Sequence, residues 1–187
     1  MIKRLFDFSL SFCALVILLP VLLLIAVAVR LTSKGPALHW SKRIGQYNQI
    51  FLMPKFRSMR TDTPQVATHL LSDSQSYITP VGAFLRKTSL DELPQLWSIL
   101  VGHMSLVGPR PALFNQDDLV KLRTDCGVHV LKPGLTGWAQ VNGRDDLPIP
   151  VKVKYDEEYY KKSNLLLDLK IIWLTVRKVL RSEGVSH

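Results

Sequence analysis

A chain of 187 residues supports one domain of ordinary size with a sizeable core. Its net charge of +9 implies an anionic partner, and nucleic acid is the weaker option: there is no long Lys/Arg run, no aromatic RNA-binding pattern and no finger spacing. Two cysteines, Cys13 and Cys126, give no disulfide framework and fit a reducing environment, and five scattered histidines stand at no metal-site spacing.

Phe8 through Val29 is a run of 22 residues without a charge, bounded by Lys3, Arg4 and Asp7 before it and by Arg30 and Lys34 after it. A straight helix of that length reaches roughly 33 Å, enough to cross a hydrocarbon core of about 30 Å. Pro20 lies at its middle, where it removes a helical hydrogen bond and introduces a kink. Cations flank both ends, whereas orientation is normally set by charge on one side. A helix-break-helix hairpin that enters and leaves by the cytoplasmic face satisfies both observations. A single-pass anchor and a cleaved signal peptide compete with it. Ala26-Val27-Ala28 offers a cleavage signal, but the apolar stretch exceeds the usual core of about 7–15 residues.

After Lys34-Gly35-Pro36 the composition turns globular. Ile50-Phe51-Leu52-Met53 reads as a short strand running into the basic segment Lys55 to Arg60, and Thr61 to Ser76 reads as a polar loop. Pro94 is tolerated in a helix only near its first turn, so the pattern predicts a helix that begins around Ser89 to Asp91. Leu93, Leu96, Trp97 and Leu100 give it one apolar stripe, and Gly102 a stop. Asp91 and Glu92 then stand at the positive end of that helix with Arg86 and Lys87 upstream, an arrangement expected to favour the ionised carboxylates. The bland reading is a capping box made by Ser89 and Glu92.

Val107-Gly108-Pro109-Arg110-Pro111 is barred from helix and central strand by its prolines and glycine, and reads as a rigid turn aiming Arg110. Leu131 to Arg144 reads as a loop or tight hairpin ending in Asn142-Gly143-Arg144. Val151 to Lys162 is a charged helix. A last helix runs from an Asn164 cap to about Arg181, with an almost wholly apolar face suited to a core or to lipid.

Lys55, Arg57, Arg86, Arg110 and Arg144 recur in or beside short connecting segments, where functional side chains concentrate. Each alone is an ordinary surface charge. Together they set planar forks suited to phosphate beside a carboxylate pair, which is what phosphoryl transfer needs. Hard oxygen ligands with phosphate select Mg²⁺. Walker, kinase and dinucleotide-binding glycine motifs are absent.

At these residues the chain resembles the bacterial sugar transferases, the small monotopic phosphoglycosyl transferases, over nearly its whole length. The likeness runs through the basic-apolar N-terminus with its central proline, Lys55 to Met59, Ser89 to Leu96, Met104 to Pro111, Pro133 to Gly137, Gln140 to Arg144, and the Tyr155-Asp156 and Asp168 to Lys170 positions. Leu19 departs from the Ser or Thr that often precedes the membrane proline, Met53-Pro54 from an aromatic residue before the lysine, and Lys132 from a frequent arginine.

The resemblance implies transfer of a sugar-1-phosphate from a UDP-sugar to a polyprenol phosphate such as undecaprenyl phosphate, with release of UMP. It implies a covalent phosphosugar on Asp91, Mg²⁺ held by Asp91 and Glu92, and a re-entrant helix kinked at Pro20. Substrate-binding roles fall to Lys55, Arg57, Arg86, Arg110, Arg144 and Asp156. The expected fold is an α-rich α+β protein: a re-entrant membrane segment over 1–34, then a compact catalytic domain over 35–187 with short strands and interfacial amphipathic helices, on the cytoplasmic face of a bacterial inner membrane. The rival, from another class, is a non-catalytic membrane-anchored module whose basic face binds anionic lipid or a partner protein.

Overall fold

The computed structural model describes residues 2–64, 74–143 and 147–180. The uncharged run forms helix α1 (Ile2–Thr32), and Pro20 lies inside it. The helix runs through Pro20, which has no N–H to donate, without ending there; a proline can bend a helix without ending it. Among the described residues α1 is the one helix long and apolar enough to cross a membrane. One stripe of it is buried against the rest of the chain through Asp7, Ser11, Ile25 and Val29, with Ala14, Leu15, Leu18 and Leu22 half-buried between them. Its other side exposes Leu5, Val16, Leu23, Val27 and Leu31.

Strands β1 (Leu38–Ile44) and β2 (Ile50–Phe56) form an antiparallel hairpin in which Leu38 faces Phe56 and Ile44 faces Ile50. Only β2 is signalled by the apolar run. Of the expected loop, residues 65–73 lie outside the described residues, and a one-turn helix α2 (Ser74–Tyr77) follows. Helix α3 (Pro80–Thr88) starts where Thr79 Oγ1 accepts the Gly82 N–H at 3.0 Å.

Ser89 then takes a left-handed conformation, φ 58°, as the C-cap of α3, and its side chain caps nothing. The capping box is therefore not formed. A 3₁₀ turn, Leu90–Glu92, holds both carboxylates, and helix α4 (Gln95–Leu100) begins only after Pro94. Leu96 and Ile99 are its buried apolar residues, while Trp97 of the expected stripe is 54% exposed.

Strand β3 (Ser105–Val107) pairs in parallel with β4 (Gly134–Thr136). Between them lie α5 (Asp117–Asp125) and a 3₁₀ turn, Val128–Val130. Where a loop or tight hairpin was expected, the described residues form β4 followed by helix α6 (Trp138–Asn142). The reason is a partner distant in the chain: a Cβ on Gly134 would collide with the Gly108 N, so these glycines let β4 lie against the β3 turn. Helices α7 (Ile149–Lys162) and α8 (Leu165–Leu180) close the fold. Asn164 caps α8 as predicted, accepting the Leu167 N–H at 2.9 Å. Asp168 and Ile171 of α8 are buried, and Leu166, Trp173 and Val176 are exposed.

The main core gathers Met53, Leu96, Ile99, Met104, Val107, Tyr159 and Ile171. A second cluster joins Ile25 and Val29 of α1 to Phe56 and Leu85. Both ends of α1 are also tied to the same body by polar contacts. At the start, Lys3 Nζ lies 2.5 Å from Asp168 Oδ2, Arg4 donates to the Leu100 carbonyl at 2.6 Å, and Asp7 accepts the Leu106 N–H at 3.1 Å and Ser105 Oγ at 2.8 Å. At its end, buried Arg57 donates to the carbonyls of Ser33, at 2.9 Å, and of Lys34 and Gly35, the segment by which the chain leaves α1.

Asp7 thus stands in for a missing neighbour strand on the free edge of β3. Asp7→Ala removes two hydrogen bonds to a buried carboxylate and orphans the Leu106 N–H. The expected loss is about 2–4 kcal/mol, read as a fall in thermal midpoint of the detergent-solubilised chain. An unchanged midpoint would show that α1 docks without this contact.

Candidate active site at the Asp91–Glu92 pair

Three segments converge on the 3₁₀ turn Leu90–Glu92. β2 sends Lys55, whose Nζ lies 2.6 Å from Glu92 Oε1. The turn after β3 sends Arg110, whose Nη2 lies 3.1 Å from the same oxygen. The last turn of α3 sends Arg86, which lies 3.7 Å from Met59 Sδ and whose charge acts on Asp91. Lys55 is on the inner face of the hairpin with Phe51 and Met53, because alternate residues of a strand share a face.

The two carboxylates are driven in opposite directions. Burial alone would raise the Glu92 pKa, but the Lys55 and Arg110 charges and hydrogen bonds overcome it and hold Glu92 well below the usual carboxylate range. Asp91 is 8% exposed, and burial pushes its pKa up; the Glu92 charge adds to the rise, while Lys55, Arg86 and Arg110 oppose it. This corrects the expectation that helix dipole and cations favour ionised Asp91. The residue is in a tight turn ahead of the helix, and desolvation is the larger effect. No hydrogen bond among the described residues holds its carboxylate, so the oxygens are left for other partners.

Of the remaining predicted site residues, Arg57 and Asp156 are placed elsewhere. Arg57 is spent on the end of α1, as described above. Asp156 is 1% exposed inside α7 and pairs with Arg123 at 2.6 Å. In sequence Arg57 reads as a phosphate-suited cation and Asp156 as a substrate-binding position implied by the resemblance, because the partners that claim them are distant in the chain. Arg144 lies outside the described residues. Arg123 was not signalled at all: it sits in a charged helix where nothing local distinguishes it from a solvated residue.

The profile of the family described as "Bacterial sugar transferase" matches residues 1–182. The chain belongs to the bacterial sugar transferase family. It is 41% identical to "Uncharacterized sugar transferase EpsL" of Bacillus subtilis, over all of this chain and 91% of that protein. It is 40% identical to "Undecaprenyl-phosphate glucose phosphotransferase" of Komagataeibacter xylinus, over 97% of this chain and 36% of that one. It is 35% identical to "UDP-N-acetylgalactosamine-undecaprenyl-phosphate N-acetylgalactosaminephosphotransferase" of Aeromonas hydrophila, over 98% of this chain and 44% of the relative. The chain therefore spans less than half of these two larger relatives.

The opposite shifts predict opposite stability effects. Glu92 has a depressed folded pKa, so its contribution is present above its ordinary value of 4.5 and is lost as pH falls toward the folded value. Asp91 has a raised folded pKa, so the fold favours its neutral form and its ionisation costs stability as pH rises above 3.8. At neutral pH, Glu92→Gln should lower the thermal midpoint by an amount equivalent to about 1–3 kcal/mol, and the gap to wild type should narrow toward pH ~3. Asp91→Asn should hold or raise the midpoint at neutral pH, as removal of a buried functional charge commonly does. A lower midpoint for Asp91→Asn would contradict this electrostatic assignment.

Proposed function

We propose that this chain transfers a sugar-1-phosphate from a UDP-sugar to a polyprenol phosphate such as undecaprenyl phosphate at the cytoplasmic face of a bacterial membrane. The observation that carries the reading is a buried carboxylate, Asp91, that no hydrogen bond among the described residues holds and whose field is shaped by Lys55, Arg86 and Arg110. The names of the relatives support the class of donor and acceptor.

In the first step an Asp91 oxygen attacks the β-phosphorus, the bond to the UMP oxygen breaks, and UMP leaves with the electron pair. In the second, an oxygen of the lipid phosphate attacks the same phosphorus and Asp91 leaves as free carboxylate. Lys55, Arg86 and Arg110 neutralise the phosphate charge that would otherwise repel an anionic nucleophile. Mg²⁺ fits this donor set. Glu92 Oε1 is taken by Lys55 and Arg110, which leaves Oε2, and the Asp91 oxygens are adjacent; Mg²⁺ commonly takes one or two carboxylates together with substrate phosphates. Bound there, it supplies charge stabilisation to the phosphates. Arg144 completes the proposed set of substrate-binding cations.

Release of UMP from a panel of UDP-glucose, UDP-galactose and N-acetylated UDP-sugars, with undecaprenyl phosphate and with or without EDTA, tests the reading and identifies the sugar. Asp91→Asn should abolish turnover while folding persists, and without lipid acceptor labelled phosphosugar should accumulate on Asp91. Near wild-type UMP release by Asp91→Asn would refute the covalent route. The acid limb of kcat/KM should lie above 3.8, because attack needs the ionised form and burial raises that pKa. Lys55→Gln should move the limb higher, since Lys55 is the largest charge lowering it.

The membrane topology belongs to the same proposal. α1 enters from and returns to one side, bent at Pro20. Its two ends rest on one body, Lys3 on Asp168 and Val29 on the Phe56–Leu85 cluster, whereas a straight crossing would put Lys3 on the far side. The exposed apolar faces of α1 and α8 suit lipid. In a chain with Cys13 and Cys126 replaced, a single cysteine near residue 3 and one near residue 187 should both stay protected from an impermeant maleimide in intact cells. In Pro20→Ala part of the N-termini should become labelled. Labelling of the wild-type N-terminus from outside would refute the hairpin and leave the chemistry untouched.

A further inference from the structure

Arg110 bears on Glu92 through its side chain, and its backbone is held just as closely. The carbonyls of four consecutive residues each accept from a different partner: Pro109 from the Gly134 N–H at 2.9 Å, Arg110 from Arg123 Nη1 at 2.8 Å, Pro111 from Arg43 Nη1 at 3.2 Å, and Ala112 from the Ile44 N–H at 2.9 Å. Pro109 and Pro111 have fixed φ and no N–H. The turn is left with little freedom. Arg123 differs from the other donors because it is a buried charge, 8% exposed, whose Nε and Nη2 grip a single Asp156 oxygen at 3.0 and 2.6 Å. A buried ion pair is poor support for stability on its own, since desolvation offsets much of the attraction. This one leaves the third arm of the guanidinium pointing at the Arg110 carbonyl, and Asp156 cancels a charge that would otherwise repel Arg110.

We propose that Arg123, oriented by Asp156, is a positioning residue that fixes Arg110 against Glu92 and so sets the phosphate clamp. The inference rests on the transferase reading above and assigns roles to two buried residues, one in α5 and one in α7, that do not touch the reacting atoms. A displaced turn would move the Arg110 fork relative to the phosphorus, and small displacements of positioning groups cost large factors in rate.

The test uses the full chain in detergent or nanodiscs and crosses Arg123→Gln and the milder Arg123→Lys with Arg110→Ala. Arg123→Lys keeps the pair with Asp156 but lacks the arm that also reaches Arg110. With Arg110 present, both variants should lower kcat for UMP release by about tenfold or more. In the Arg110→Ala background they should change the residual rate by less than about twofold, because a residue that acts through another has nothing left to act on. Equal losses in both backgrounds would mean a merely structural role and overturn the proposal. Amide hydrogen exchange gives a readout independent of turnover. The segment 104–114 should lose protection in Arg123→Lys while β2 keeps its own, and loosening spread evenly through the protein would equally overturn it. If the wild-type chain releases no UMP with any donor, the transferase reading falls, and the exchange result alone decides whether Arg123 holds the Arg110 turn.

Discussion

The ionised Glu92 carboxylate, gripped at one oxygen by Lys55 and Arg110, is the contact on which the site depends. It ties together three pieces of chain that share no secondary structure: the end of β2, the 3₁₀ turn after α3, and the turn after β3. A half-buried carboxylate would raise its pKa if left alone, so the fold is consistent only while both cations are present. The same contact determines the environment of Asp91. Burial is the largest influence on Asp91, the Glu92 charge adds to it, and together they prevail over the three neighbouring cations and push its pKa up.

The site is joined to α1 by an equally specific set of contacts. Asp7 bonds the backbone of β3, whose next residues carry Arg110, and Lys3 and Tyr159 both reach the Val107 carbonyl, at 3.2 and 3.3 Å. Tyr159 in turn donates to Asp168 at 2.6 Å; burial and that carboxylate drive its pKa upward, so it stays a neutral donor. At the opposite end, Arg57 holds the exit of α1 one residue beyond β2, the strand that supplies Lys55. Both strands that deliver cations to Glu92 are therefore anchored to α1. On the proposed topology, the depth and bend of the membrane segment and the geometry of the phosphate clamp are parts of one rigid arrangement.

Much of this was legible from local pattern. The uncharged run, the Asn164 cap, the β2 run, the rigid Pro-Arg-Pro turn and the grouping of Lys55, Arg86 and Arg110 with the carboxylate pair follow from composition, spacing and backbone chemistry, and the structure brings those cations to the pair. What failed depended on distant partners. β1 (LHWSKRI) shows no clean alternation because its two faces are both mixed, and it is a strand only because β2 pairs with it. Gly137 opens a helix where Asn142-Gly143 suggested a hairpin, since β4 is claimed by β3 rather than by its own neighbour. Ser89 is consumed in ending α3, so the turn carrying Asp91 cannot be the first turn of α4. Arg57 and Asp156 stand out in the sequence as functional-looking charges, yet what they meet in space is the carbonyls of the segment after α1 and Arg123.

The contrast between the two adjacent carboxylates has a chemical consequence on the proposed reaction. A carboxylate paired with two cations at one oxygen, such as Glu92, is a poorer nucleophile because its negative charge is stabilised; it is better suited to hold charge in place. Asp91 is desolvated, is held by no hydrogen bond or ion pair among the described residues, and is close enough to Lys55, Arg86 and Arg110 for their fields to reach it. Ionising it costs more than in water, and that cost leaves the anion more reactive toward phosphorus while the surrounding cations favour an incoming diphosphate. Once the phosphosugar is attached, the leaving group of the second step is the same destabilised carboxylate, and its return is favoured by the three cations that remain around it. A single residue can then serve as nucleophile and leaving group in turn because its neighbour, rather than Asp91 itself, carries the salt bridges that hold the site together.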